Sequence, residues 1–182
     1  MNQTVKQQAI VEKFIFRGIR QEEEEIRQAV LIEQICFPPN EACSEQNMRA
    51  RIAVAPELFL VAVDRENGRL AGFLNGLATE ESQFKDAFFT DAGLYRPEGK
   101  HVMLLGLDVL PKYRGQGLAR ELVSQYSKRE QENNRHTLVL TCLKEKVEMY
   151  RKFGFTDLGI ANSTWGGEEW HEMCYMLNLQ NI

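Results

Sequence analysis

Apolar positions along the chain switch between two periods, and the switches mark out its elements. Phe14-Ile15-Phe16-Arg17-Gly18-Ile19 alternates apolar with polar or small residues, which predicts a first strand. Ile26, Val30, Ile32 and Ile35 then recur at helical spacing behind the acids Glu22 to Glu25. Acids in a first turn oppose the positive end of a helix, so this run reads as a favourable helix start. Phe37-Pro38-Pro39-Asn40 stops the helix, because proline cannot continue it. Ser44 has the chemistry of an N-cap for a second helix that Pro56 ends. The run 58–63 predicts a buried strand, 64–68 a hairpin turn and 70–78 the returning strand. Residues 79–100 are mixed, which predicts a loop with a short helix near 83–89.

Met103 to Val109 is an apolar run and predicts the central strand. Leu118, Leu122, Val123 and Tyr126 fall at helical spacing and carry a helix to about Gln131. A strand at 138–140, a helix at 144–152 stopped by Gly154, and strands at 155–160 and 173–179 around Gly166-Gly167 complete the chain. The order β-α-α-β-β-β-α-β-α-β-β mixes hairpins with two helical crossovers. It predicts an α/β fold, a three-layer α-β-α arrangement on one mixed sheet of about seven strands. The two strands joined through the helix at 118–131 should be parallel. One domain, 1–182, is expected, with 1–10 as a flexible N-terminal extension.

Composition narrows the class. At 182 residues the chain can bury a sizeable core without disulfide staples. No apolar run approaches the ~18 residues of a membrane span, and Met1 to Gln8 lack an apolar leader core, so a cytoplasmic protein with no membrane partner is expected. Cys36, Cys43, Cys142 and Cys174 are scattered, which favours reduced thiols over bridges or a metal site. A net charge of −4 and the lack of a basic stripe argue against a nucleic-acid partner.

The chemistry concentrates between Val109 and Ala119. Here a strand ends at Pro111, a basic turn with Gly115 and Gly117 follows, and a helix starts at once. Exposed N–H groups at a helix N-terminus form a site for an anion such as a pyrophosphate. A turn with two glycines also arises simply to relieve strain. Arg120 occupies the place where a dinucleotide fingerprint needs a third small residue, and the spacing of a P-loop is absent.

The segment Arg114 to Ala119 reads Arg-x-x-Gly-x-Ala. It resembles the pyrophosphate-binding motif of the GCN5-related N-acetyltransferase (GNAT) superfamily, whose members bind acetyl-CoA. Met149-Tyr150-Arg151-Lys152-Phe153-Gly154-Phe155 is similar to a segment found across that superfamily. Arg96-Pro97-Glu98-Gly99 and Pro56-Glu57-Leu58 look like the arylalkylamine (serotonin) N-acetyltransferase branch and its bacterial relatives. The resemblance covers roughly residues 30 to 178. It implies a fold in which CoA is wedged where two central parallel strands splay apart.

The resemblance also implies roles. The backbone of Arg114, Gly115, Gln116, Gly117, Leu118 and Ala119 would cradle the pyrophosphate, with a charge-assisted contact from Arg114. The backbone of Leu107, Asp108 and Val109 would bond the pantetheine arm like an added strand. Tyr150 would touch the cofactor and reprotonate the leaving thiolate, a task suited to a phenol of pKa about 10. Phe37, Pro38, Met103, Leu105 and Cys142 would line the substrate pocket. The two histidines that relay the amine proton in the animal enzymes of the branch fall on Met103 and Leu105, and a neighbouring acid falls on Leu143. Neither Met103 nor Leu105 can accept a proton. His101, of the same strand parity, is the candidate base. His171, Glu168, Glu169 and Glu172 are others, and a neutral amine would need none.

The reaction expected is direct acetyl transfer from acetyl-CoA to the primary amine of a small molecule, an arylalkylamine or a polyamine, with no metal. Backbone N–H groups of the central strand would stabilise the oxyanion. Cys142 lies near the channel, although a free cysteine is more often buried filler than an acyl carrier. The competing readings are a non-catalytic acyl-CoA-binding module and a protein N-terminal or lysine acetyltransferase. A monomer or homodimer is expected.

Overall fold

A computed structural model describes residues 3–177. Seven strands form one open sheet in the order β1-β2-β3-β4-β5-β7-β6. They are β1 (Phe14–Gly18), β2 (Phe59–Asp64), β3 (Leu70–Thr79), β4 (His101–Val109), β5 (Thr137–Leu143), β6 (Thr156–Ile160) and β7 (Trp170–Met176). The helices are α1 (Gln3–Lys13), α2 (Glu23–Cys36), α3 (Glu45–Val54), the single turn α4 (Ala87–Thr90), α5 (Leu118–Glu132) and α6 (Val147–Lys152). No helix among the described residues is long and apolar enough to cross a membrane.

Both faces of the sheet are covered, as a mixed sheet with a helical crossover requires. Leu60, Ala62 and Leu74 pack with Ile10 of α1 and Leu118, Leu122 and Tyr126 of α5. Phe59, Val61, Val63 and Phe73 pack on the other face with Ala29, Val30 and Ile32 of α2 and Met48 and Ile52 of α3. Successive residues of β2 alternate between the two cores, so all six are buried.

The local signals act as their chemistry dictates. Ser44 Oγ accepts the Asn47 N–H at 3.1 Å and caps α3. Phe37 is extended ahead of Pro38 and ends α2. Glu25 does more than start a helix: both its oxygens take the Arg17 guanidinium, at 2.7 and 2.9 Å, and tie α2 to β1.

Helix α1 takes in residues 3–10 of the N-terminal segment and runs on to Lys13, with Ile10 buried against α5. Among the described side chains of α1 only Ile10 is buried, and Val5 and Val11 are exposed, a pattern too sparse for a periodicity signal.

Two irregularities of β4 shape the centre. Its ladder with β3 slips at Asn75/Gly76, which pair with Gly106 and Leu104, so Leu105 is left out of register as a bulge. Its parallel pairing with β5 covers only His101 to Met103 against Thr137 to Val139. β5 is paired with β7 along its whole length, from Thr137↔Met176 to Leu143↔Trp170, so beyond Met103 a gap opens between the central strands.

Candidate active site

The gap between β4 and β5 widens into a cleft of about 690 Å³. One wall is the free edge of β4. The Leu110 N–H bonds Ala71 O of β3 at 3.0 Å. Alternate residues of an antiparallel strand send their backbone groups to opposite edges. The N–H groups of Val109 and Leu107 therefore face the gap, the arrangement that strand-like addition of an extended ligand needs.

The strand-to-helix turn closes one end. Gly115 and Gly117 have φ of 72° and 93°, left-handed values that L side chains rarely adopt. Gly117 is the N-cap of α5, and no side chain caps that helix end. The first-turn N–H groups thus have no intrahelical partner and lie at the cleft, which Gly115, Gly117, Leu118 and Ala119 line. Arg114 also lines it, but its Nε is committed to Val109 O at 2.8 Å. Gln116 is turned to the outer side, where its Oε1 accepts Lys13 Nζ at 3.0 Å. A second hollow, of about 850 Å³, lies there between α1 and α5.

Tyr150 of α6 reaches the middle of the cleft, its ring edge-on to Phe153 and Phe155 at 6.0 and 5.5 Å. Burial first, with the neighbouring Cys142 and Asp108 adding to it, holds its phenol well above the ordinary tyrosine pKa, so it stays protonated and can donate. Cys142 lines the same cleft, and burial pushes its thiol up to about 12. A thiol held in that form is a poor nucleophile.

The far end is roofed by two loops. Trp165 Nε1 donates to Glu41 O at 3.0 Å, Asn40 Nδ2 to Gly166 O at 3.0 Å, and Trp170 Nε1 to Trp165 O at 2.8 Å. Gly166 has φ of 63°, and a Cβ there would stand 2.9 Å from Asn40 O, so a glycine is needed where the loops meet. Phe37, Pro38, Phe89, Trp165 and Trp170 give this end an apolar, aromatic lining. Glu41 sits among them. Burial and the charges of Glu168 and Glu145 raise its carboxyl pKa.

Several residues expected at the site are elsewhere. His101 starts β4, where its Nδ1 meets Thr137 Oγ1 at 2.7 Å, and it does not line the cleft. Burial, then His136, lowers its pKa. Met103 is fully buried in the core, because β4 and β5 are still paired at that level, whereas Leu105 in the bulge does line the cleft. His171 is paired with Asp157 Oδ1 at 3.1 Å, and Glu172 accepts the Phe84 N–H at 3.3 Å. The Asp108 side chain turns away from the free edge of β4 and is completely buried towards α2.

There it meets Glu33, which sequence reasoning missed. Glu33 lines the cleft and is only 3% exposed. Its Oε1 accepts the Cys43 N–H at 2.8 Å, while Oε2 and both Asp108 oxygens meet no donor among the described residues. Burial raises both carboxyls, and at Asp108, the more strongly shifted, the charge and hydrogen bond of Glu33 add to it, whereas the Cys43 N–H, Arg51 and the Asp108 hydrogen bond hold Glu33 back. The signal was present: Glu33 shares the buried face of α2 with Ala29, Val30 and Ile32, and a carboxylate on an apolar face is costly unless paired.

The raised pKa has a consequence for stability. Above the ordinary carboxyl pKa, near 4, the unfolded chain has lost a proton that the folded pair retains. Stability therefore falls as pH rises through that window. Relative to the parent, Asp108→Asn is expected to gain stability between pH 5 and 8, by up to about 1.4 kcal/mol per pH unit. Urea unfolding of both proteins at the two pH values measures this, and a constant difference counts against a retained proton.

A mixed open sheet, parted central strands and a glycine turn at the N-terminus of the following helix come together in this α/β fold. The family model "Acetyltransferase (GNAT) family" matches residues 25–155, and the chain belongs to that family. No curated protein sequence matches the chain. Among solved structures it is similar to the loading GNATL domain of CurA from Lyngbya majuscula, at 13% identity and a TM-score of 0.77, over 90% of this chain and 98% of that one. The GphF GNAT-like decarboxylase in complex with isobutyryl-CoA gives 16% and 0.73, over 90% and 100%. The ribosomal-protein-S18-alanine N-acetyltransferase from Escherichia coli gives 18% and 0.66, over 92% and 96%. At such identities the likeness concerns the fold.

Proposed function

We propose that this GNAT protein transfers acetyl from acetyl-CoA directly to the primary amine of a small molecule, with an arylalkylamine as the favoured acceptor class. The observation that carries the reading is the roofed aromatic end of the cleft. Loops 37–44 and 161–169 are latched across it by the Trp165 and Asn40 hydrogen bonds, which leaves a pocket suited to a compact ligand. Phe37, Phe89, Trp165 and Trp170 offer ring faces to an aromatic group or to an ammonium. Glu33 and Glu41 add carboxylates that favour a cationic amine.

Acetyl-CoA would lie with its pyrophosphate on the N–H groups of the 115–119 turn and its pantetheine arm along Leu107 and Val109. The bulge frees the peptide of Leu105 from the ladder, and this is the favoured place for the thioester oxygen. The neutral amine attacks the carbonyl carbon, the C–N bond forms and the C–S bond breaks. The phenol of Tyr150 gives its proton to the departing sulfur and regains one from the amine nitrogen. Cys142, held as a thiol, takes no acyl group.

The test is a panel of acceptors with acetyl-CoA, followed by thiol release: arylalkylamines, polyamines, an N-terminal peptide and a lysine peptide. Arylalkylamines are expected to give the highest kcat/KM. Peptides alone as acceptors would replace this reading with protein acetylation. Acetyl-CoA binding without turnover on any acceptor would make the chain a binding module.

A further inference from the structure

Everything that follows rests on the amine-acetylation reading. From the placement of Glu33 and Asp108 we infer that the two carboxyls share one proton, that Glu33 takes the proton from the incoming ammonium, and that Asp108 is the positioning residue that holds the Glu33 carboxyl at the cleft. Three separate features of the fold converge on this pair.

The first is room. Gly106 lies on β4 beside the bulge, and a Cβ there would stand 2.9 Å from Asp108 Oδ2, 3.1 Å from Asn75 Nδ2 and 3.3 Å from Glu33 Oε2. The glycine thus vacates the space in which the two carboxyls meet, directly behind the part of β4 where the thioester would lie.

The second is the inventory of donors. Oε2 of Glu33 and both oxygens of Asp108 are buried without a donor among the described residues. Two bare carboxylates in that position would repel each other and leave three oxygens without a donor. With one proton between them they form a hydrogen bond and carry a single negative charge.

The third is charge balance. Arg51 of α3 is 3% exposed, and its Nη2 donates to Phe89 O at 2.8 Å. Its charge acts on both carboxyls. Arg51 with a singly ionised pair is neutral, whereas a doubly ionised pair would leave a net buried anion. The other titratable groups facing the pair do not supply the balancing charge. Cys36 of α2 donates its thiol to Val109 O at 3.4 Å and is pushed up to about 11, and Cys43 likewise to about 11. Arg114 keeps its charge but sits at the turn, bonded to Val109 O, where it acts on Cys36 and not on either carboxyl.

Glu33 is the member of the pair that lines the cleft, so it is the one an ammonium can reach. The step balances. The ammonium N–H bond breaks, its electron pair stays on nitrogen, and the proton moves to the pair, which becomes neutral as two carboxylic acids. The amine then attacks, its second proton goes by way of Tyr150 to sulfur, and the pair returns its proton to water after the acetylated product leaves.

The experiment compares a strongly basic arylalkylamine with an aromatic amine that is already neutral at pH 7. Glu33→Gln is expected to lower kcat/KM by about 10²–10⁴-fold for the basic amine and by less than about tenfold for the neutral one, with the acetyl-CoA Kd unchanged. In Asp108→Asn an amide N–H replaces the stronger carboxylic O–H donor, so the charged form of Glu33 is less stabilised and the acid limb of the pH profile moves to higher pH. His101→Ala should leave the profile as it is. Equal losses with both amines, an unmoved limb, or a profile abolished by His101→Ala would overturn the inference. Carboxyl-carbon NMR of the parent protein tests the shared proton without any acceptor. One Asp or Glu proton held through neutrality is expected, and two carboxyls titrating near 4 would refute the pair even if Glu33→Gln fails to fold. If the parent acetylates no amine while the NMR result holds, the acceptor reading fails and the shared proton stands.

Discussion

Gly117→Glu is expected to abolish useful acetyl-CoA binding while leaving the protein folded. Gly117 is the N-cap of α5 at a φ of 93°, and its neighbours' N–H groups are those offered to the pyrophosphate. A side chain there stands in the anion's path, and a carboxylate repels it. Like charges brought together at an interface cost several kcal/mol, so Kd should rise about a hundredfold or more. The fold tolerates the change because the Cβ meets only Ile10 Cδ1, at 3.0 Å, the flexible end of a side chain. Strain from the left-handed φ adds about 1–2 kcal/mol to the cost in stability. Gly117→Ala carries that strain without the charge and should keep most of the affinity. Titration calorimetry with acetyl-CoA separates the two variants. Parent-like affinity in a folded Gly117→Glu protein would remove the turn from the binding site.

What the sequence revealed of this site follows from how each feature is encoded. The turn was legible because Pro111, Gly115 and Gly117 constrain the backbone where they stand, and the structure gives both glycines the left-handed φ that their type permits. Most of the strands were legible from their alternation or from continuous apolar runs, and Ser44 from its capping chemistry. The remainder depends on contacts between segments far apart. The bulge at Leu105 arises from a slip against β3, which no property of residues 101–109 announces, and it defeats the parity argument that linked His101, Met103 and Leu105. The Glu33–Asp108 pair needs α2 and β4 to be side by side at a glycine. The Trp165 and Trp170 roof needs loop 161–169 to reach the 37–44 loop, a pairing of two turns that sequence analysis reads singly.

The second large effect belongs to Tyr150→Phe, which is expected to lower kcat by about 10²–10⁴-fold with acetyl-CoA affinity nearly intact. Removing one oxygen keeps the edge-on packing against Phe153 and Phe155, so the cleft should hold its shape. The phenol's raised pKa keeps it a donor across the working pH range, and its proton is needed only as the C–S bond breaks. Loss of the hydroxyl must therefore fall on the chemical step and leave ground-state binding alone. Single-turnover kinetics, with acetyl-CoA binding measured separately, makes the comparison. The two proton sites also predict different sensitivities: Glu33→Gln should matter more as the acceptor amine becomes more basic, while Tyr150→Phe should cost about the same for every amine, because the leaving thiol is the same. A Tyr150→Phe rate within about twofold of the parent, with chemistry limiting, would make Tyr150 a packing residue of α6 and leave the thiolate to be protonated by water.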